Sequence, residues 1–432
     1  MAEHEGDHTG ADDGVVIDPS VSDEFVGDGI IGGDVVPGAS DVAAGAGDMD
    51  GGDIYGFWAG CRRHDPVMAI EGLGMEMRML TRFADIDAVL RDADRFPSRI
   101  NADTMGPVMG TVILAMDGDE HRRYRNLVAR AFRPSALERW EDELIAPTVH
   151  RLIDAIVDSG RSDLVADVTS RYPVQVIAGV LGVPTDDYEL FQRWGLEISM
   201  GPDDYEVSMA ASAAMREYLT PIVEDRKLNP GDDLVSDIVT AEIDGVRLSD
   251  EHIYGFLRLL LPAGAETTFR ALGNCLLALL THTDVLDRVT ADRSLLDAVI
   301  EETLRWETSV TMVNRETAGP VEVAGVPMPA GVSVVCATGS ANHDEARYDN
   351  GEAWDLDRPP QPHLAFGTGR HQCLGMHLAR LELRIGLTAL LDRLPGLRLD
   401  PDGGPVAVEG LAFRSPPQLP VLFDAVAVDR AG

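Results

Sequence analysis

The sequence predicts a mainly α fold with small β-sheets (α+β), and three observations predict it. Apolar residues recur at helical spacing over most of the chain from about Met75. Strand-like stretches are few and short. No Ser/Gly- or Pro-rich linker divides the chain after its first fifty or so residues, so residues 53–432 read as one large folded unit.

Taken in order, residues 1–52 come first. They contain many Asp, Gly and Ala, and the first Lys or Arg of the chain is Arg62. Like charges repel and large apolar groups are sparse, so a disordered tail is expected there. Met79 to Leu90, Arg122 to Phe132, Leu137 to Ile156, Tyr172 to Leu181 and Met209 to Arg226 read as amphipathic helices. Gly182-Val183-Pro184 and Asn229-Pro230-Gly231 are breaks. A long helix should run from a Ser249 N-cap to about Leu280, with Asp250 and Glu251 at the positive end of its dipole. Leu295 to Trp306 is a further helix. Val321 to Val335, with Gly325-Val326-Pro327 and Pro329-Ala330-Gly331, reads as a hairpin. Leu374 to Leu394 is another long helix, and short strands should close the chain.

Lys and Arg number 36 against 73 Asp and Glu, a net charge of -37. Such a chain repels nucleic acid and anionic membrane surfaces. Four scattered cysteines, Cys61, Cys275, Cys336 and Cys373, argue against a disulfide framework and a structural zinc site. They point to a reducing cytoplasm. No signal peptide and no apolar run long enough for a membrane span is expected.

The strongest local signal is Phe366-Gly367-Thr368-Gly369-Arg370-His371-Gln372-Cys373-Leu374-Gly375. A glycine-rich loop delivers a cysteine to the start of a long helix, where unpaired N–H groups and the helix dipole stabilise a thiolate. Gly367 and Gly369 permit turns with positive φ. Gly375 removes a side chain where a flat ligand would approach. A soft thiolate in this setting can bind iron.

This run resembles the heme-binding loop of the cytochrome P-450 family. The resemblance implies a triangular, helix-rich prism with heme b between a long distal helix and a proximal cysteine-bearing helix. It implies Cys373 as the iron ligand and Phe366 beside its sulfur. Ala365, Gly367 and Gly375 would line the heme, and His371 would face a propionate.

Four more segments stand in the family's order. Glu302-Thr303-Leu304-Arg305 places an acid and a base on one helix face. In the family this pair forms a buried network with a later arginine, here Arg358. Ala263-Gly264-Ala265-Glu266-Thr267-Thr268, following Pro262, should open the long helix locally. By resemblance Ala263 and Gly264 contact the heme, Thr267 is the hydrogen-bonding alcohol at the oxygen site, and Glu266 feeds it protons. His121 and Arg125 stand at i and i+4 and resemble the family's propionate-binding pair; Arg315 resembles its remaining propionate-binding arginine. Two departures are a serine, Ser309, near a frequent proline, and His343 where an arginine is common.

The implied activity is insertion of one atom of dioxygen into a hydrophobic small molecule, by hydroxylation or epoxidation. Electrons would come from NAD(P)H through a separate ferredoxin reductase and ferredoxin. Arg122, Arg123, Arg125, Arg130, Arg133 and Arg139 concentrate positive charge for an acidic ferredoxin. The substrate pocket would draw on residues 98–112, 191–209, 256–267, 309–313 and 411–413. Two other readings fit the same loop: a heme-thiolate enzyme that does not hydroxylate (peroxygenase, aryl-coupling enzyme or isomerase) and a non-catalytic heme sensor.

Overall fold

The computed structural model describes residues 53–72, 75–129, 132–200, 204–243 and 245–426. The chain divides into the units Met1–Ile30 and Ile31–Gly432, and every described residue lies in the second. The tail predicted over residues 1–52 lies outside the described residues, as does Arg130.

Helix α1 (Ile54–His64) leads into strands β1 (Val67–Gly72) and β2 (Met75–Leu80), and α2 (Phe83–Arg91) follows. Then come α3 (Gly118–Val128), β3 (Arg161–Asp163), α4 (Tyr172–Leu181), α5 (Tyr188–Met200), α6 (Tyr205–Leu228), α7 (Asp250–Thr281) and α8 (Leu296–Trp306). Strands β4 (Val313–Glu316) and β5 (Ser333–Cys336) precede α9 (Met376–Arg393), and β6 (Arg398–Leu399) and β7 (Pro420–Leu422) close the chain. Shorter helical turns and hairpins connect them.

Local chemistry sets the ends. The Ser249 side chain accepts from His252 N and Asp204 from Val207 N, so α7 and α6 begin on side-chain caps, each worth about 1 kcal/mol. Helix α4 stops at Gly182, which takes the left-handed φ of 76°.

The larger apolar core gathers α4 to α9, with Ile177, Phe191, Leu219, Leu276, Ile300 and Leu387 buried in it. Each such side chain contributes roughly 1.5–3 kcal/mol by leaving water. A smaller core, with Leu80, Ile86, Val334 and Leu364, lies under a four-stranded sheet ordered β1-β2-β5-β4. Here β2 and β5 run parallel and the outer pairs antiparallel. A second sheet, ordered β6-β7-β3, is antiparallel. The segment that carries Cys373 touches both of these cores: Leu364 belongs to the smaller, and Ala365, Phe366 and Leu374 pack against the larger. No described helix is long and apolar enough to cross a membrane.

Several expectations need correction. Met79 and Leu80 belong to β2, because their backbones pair with Val335 and Cys336 across the sheet. The hairpin closes over Val321–Val323 and Val326–Met328, and the rest of the predicted segment leaves it to join β2 as β5. The predicted helix over residues 137–156 is two helices, Pro134–Trp140 and Ala146–Asp154, joined by a π-helical turn.

The local opening expected in α7 is absent; the helix is continuous through Pro262 and Thr268. Packing explains this. A Cβ placed on Gly264 would stand 2.8 Å from Ile177 Cγ1, so α4 presses directly on the helix backbone and holds it regular. Thr267 Oγ1 bonds back to Ala263 O at 3.0 Å, which keeps the hydroxyl on the helix without breaking it.

Candidate active site

A cavity of about 310 Å³ separates α7 from the start of α9. The loop beneath it is tightly bonded. Gly367 N donates to Leu364 O at 2.9 Å, and Cys373 N donates to Phe366 O at 2.9 Å. Gly367 and Gly369 have φ of 61° and 73°. A Cβ on Gly369 would meet Leu90 O at 2.4 Å, so this position needs glycine for conformation and for space.

Cys373 opens onto the cavity immediately before α9. Burial of the site pushes its thiol up, while the N–H groups of Gly375 and Met376 and the charges of Arg125 and Arg380 act the other way. The N–H groups at the helix start thus favour the thiolate, as the sequence implies, but burial outweighs them. A bound cation is what would hold the sulfur deprotonated.

One rim of the cavity gathers basic side chains from three elements. His121 and Arg125 come from α3, Arg315 from β4 and His371 from the cysteine loop. The two imidazoles lie against each other, centroids 4.0 Å apart and planes tilted by 38°. Neither buried Nε2 makes a hydrogen bond, and His371 Nε2 stands 3.5 Å from Asp117 Oδ1. Burial, then His371 and Arg125, lower the His121 pKa to about 4. Arg125 donates to Gln372 O at 2.5 Å and Arg315 to Asn314 O at 2.6 Å. Burial lowers both guanidinium pKa values, and neither arginine forms a salt bridge among the described residues. A buried Arg315 and a half-buried Arg125 with unused donors are a site for carboxylates.

The opposite wall is α7. Ala263, Gly264, Thr267 and Thr268 line the cavity, and Phe256, Leu259 and Leu260 continue the wall along the same face. Ala365, Phe366, Gly367 and Gly375 line it from the cysteine side. Ile113, Leu114, Val310 and Val313 add apolar surface. Of the five predicted pocket segments, the described residues of 191–209 and residues 411–413 contribute nothing to the wall, and residues 98–112 stop just short of Ile113. Glu266 is also not on the wall. Its carboxylate pairs with Arg270 at 2.8 Å and accepts from Ser199 Oγ at 3.1 Å, on the side of α7 that faces α5.

A second layer braces the loop. Arg305 makes two 2.8 Å contacts with Glu302 and donates to the carbonyls of Asn342, Gly351 and Ala353. Arg358 reaches Glu302 Oε1 at 3.0 Å, completing the predicted triad. His343 is buried between Glu352 and the Trp306 carbonyl and stacks on Tyr55.

Sequence reasoning missed a neighbouring cluster: Glu301, Arg380 and His363. Arg380 pairs with Glu301 at 2.6 Å and covers the Phe366 ring at 4.6 Å. His363 Nε2 meets Glu301 at 3.2 Å. The one available signal was Arg380 standing seven residues, two turns, beyond Cys373. Burial works against the Glu301 anion, but Arg380 and His363 outweigh it and bring the pKa to about 2. The folded pKa is depressed, so the stabilisation is full above about 4.5 and is lost as pH falls toward 2. Glu301→Gln is therefore expected to flatten acid unfolding in that window, read by circular dichroism; an unchanged profile would remove this assignment.

Comparison with known proteins agrees with the geometry. The family model described as Cytochrome P450 matches residues 56–409. Cytochrome P450 monooxygenase PikC of Streptomyces venezuelae is 38% identical over 300 residues, covering 68% of this chain and 71% of that protein. Mycinamicin IV hydroxylase/epoxidase of Micromonospora griseorubida is 33% identical over 386 residues, covering 87% of this chain and 97% of that one. The structure of cytochrome P450 CYP109Q5 from Chondromyces apiculatus superposes with a TM-score of 0.80 at 30% identity, covering 88% of this chain and 97% of that chain. A matched length this great, on a fold that sets a cysteine loop against one long helix, shows that the chain belongs to the cytochrome P450 family and is one of its monooxygenases.

Proposed function

We propose that the chain inserts one atom of dioxygen into a hydrophobic small molecule, by hydroxylation or epoxidation, with electrons from NAD(P)H through ferredoxin reductase and ferredoxin. The observation that carries this reading is the Cys373 sulfur facing, across an apolar cavity, the Thr267 wall of α7. The named hydroxylase/epoxidase relative acts in the same reaction class. Four unpaired cysteines favour a reducing cytoplasm as the compartment.

The residues present fit heme b. Cys373 offers a soft ligand, and the His121 and His371 Nε2 atoms, neither of which makes a hydrogen bond, offer with Arg125 and Arg315 donors for its two propionates. Ala365, Phe366, Gly367 and Gly375 would support one face, and Ala263 and Gly264 the other. Heme iron bound there would supply the oxygen-activating chemistry, with the thiolate raising its electron density.

The chain's own residues handle substrate and protons. Phe256, Leu259, Leu260, Val310 and Val313 exclude water and hold an apolar guest. The Thr267 hydroxyl, donating to Ala263 O, keeps its lone pairs for an ordered water beside the oxygen site. Glu266, paired with Arg270, stands next to it on the α5 side as the candidate proton-feeding group.

The basic docking face is thinner than the sequence implies. Arg122 pairs with Asp119 at 3.0 Å, Arg139 with Asp232 and Glu143, and Arg125 turns into the cavity. Arg133 is exposed. Changing Arg122 and Arg123 to Glu is expected to slow reduction by ferredoxin, most at low salt, with the heme spectrum intact. Equal reduction rates at low salt would count against ferredoxin docking here.

The decisive experiment has two arms. Dithionite and carbon monoxide should give the red-shifted Soret band of a thiolate-bound heme. NAD(P)H, ferredoxin reductase, ferredoxin and dioxygen should then yield oxygenated product. Product from peroxide alone, with none from the ferredoxin system, would point to a peroxygenase; a band without turnover in either arm would point to a sensor.

A further inference from the structure

Two guanidinium charges act on the Cys373 sulfur against the effect of burial, those of Arg125 and Arg380. They belong to different surroundings. Arg125 is part of the basic rim, where a propionate would answer its charge. Arg380 stands on α9, off the wall of the heme cavity.

Helical side chains lean toward the N-terminus of their helix. Arg380, seven residues and about 10 Å beyond Cys373, therefore reaches back to the cysteine loop. Its Cζ stands 4.6 Å over the Phe366 ring, and Phe366 O accepts from Cys373 N at 2.9 Å. The counter-charge is Glu301 of α8. Arg380 Nε and Nη2 donate to its two oxygens at 2.6 and 2.8 Å. His363 holds the same carboxylate from the loop side. Its Nδ1 accepts from Ala365 N at 3.2 Å, so its Nε2 carries the hydrogen that Glu301 accepts at 3.2 Å.

The pair thus has a fixed direction. Its cation covers a ring of the cysteine loop. Its anion is the wetter end, with a side chain 44% exposed against 31% for Arg380. Both ends border a groove of about 380 Å³, which His377 and Arg384 also line. Water screens the exposed anion more than the cation lying on the ring, so the charge felt at the sulfur is positive.

We propose that the Arg380–Glu301 pair sets the reduction potential of iron bound at Cys373, with Arg380 a positioning residue that raises it through the sulfur and Glu301 offsetting that charge. The proposal rests on the heme-thiolate reading above. Reduction of ferric to ferrous iron adds one electron, supplied by the ferredoxin of that reading, and no bond to Arg380 or Glu301 forms or breaks. The iron and its thiolate become more negative, and a positive charge nearby stabilises that product. The two ends of the pair therefore act with opposite signs.

The test is spectroelectrochemical titration of the parent, E301Q and R380Q holoenzymes. E301Q leaves the guanidinium unanswered and should raise the potential. R380Q leaves the carboxylate unanswered and should lower it. Each shift should be on the order of tenfold in the equilibrium constant for reduction, about 59 mV for a one-electron couple. R380K keeps the charge and should stay nearer the parent than R380Q does. The reduced, carbon monoxide-bound band should remain red-shifted in all of them. Shifts of one sign in E301Q and R380Q, potentials equal to the parent's, or loss of the band in both variants would make the pair a mere brace of the loop and overturn the proposal. Each variant carries its own required sign, so either one alone decides should the other not load heme. A parent lacking the red-shifted band would instead overturn the heme-thiolate reading, which keeps the two failures distinguishable.

Discussion

Cys373→Ala protein is expected to lose the red-shifted Soret band of the reduced, carbon monoxide-bound state, and its monooxygenation should fall to the background of free heme. The loop would survive the change. Its bonds run through backbone atoms, Gly367 N to Leu364 O and Cys373 N to Phe366 O, and the positive φ angles belong to Gly367 and Gly369. The basic rim and apolar walls are likewise untouched, so the variant should still take up heme, more weakly and without a thiolate signature. Only the sulfur is missing, and with it the electron donation that favours O–O cleavage. Absorption spectra and product formation check this together. A Cys373→Ala protein with the parent's spectrum and turnover would refute the ligand assignment.

The largest stability effect is expected at Arg305. Its guanidinium satisfies both Glu302 oxygens and three backbone carbonyls, at Asn342, Gly351 and Ala353. Arg305→Ala leaves Glu302 with Arg358 and the Asp355 N–H, and Ala353 O with Arg358, but strands the Asn342 and Gly351 carbonyls in the interior. Removing one partner of a buried pair costs roughly 3–5 kcal/mol. Arg305→Lys should recover only part of this, because an ammonium cannot reproduce the planar fork. Thermal or urea unfolding of the holoenzyme measures the loss. A variant as stable as the parent would show that the network is replaceable by solvent.

The sequence made some of this site legible for a physical reason. The cysteine loop is local: glycines, thiol and helix start lie within ten residues, so their spacing is their geometry. Glu302 and Arg305 share a helix face for the same reason. The rest is assembled across distance. Glu301, His363 and Arg380 come from three elements, and no spacing along the chain announces them. The misread segments failed by tertiary override. Packing of Ile177 against Gly264 keeps α7 regular where its own residues favour a break. Pairing with a strand some 250 residues away sets Met79 and Leu80 extended where their pattern read as helix.

The regularity of α7 has one more implication. Phe256, Leu259 and Leu260 ride on the same uninterrupted 32-residue rod as Thr267 and Thr268. The chain has no joint between the turns that touch a guest and the turns that hold the hydroxyls. A bulky molecule leaning on the first group strains or tilts the second, so molecular choosiness and proton housekeeping are mechanically geared together. Tightening one by substitution along this rod will retune the other.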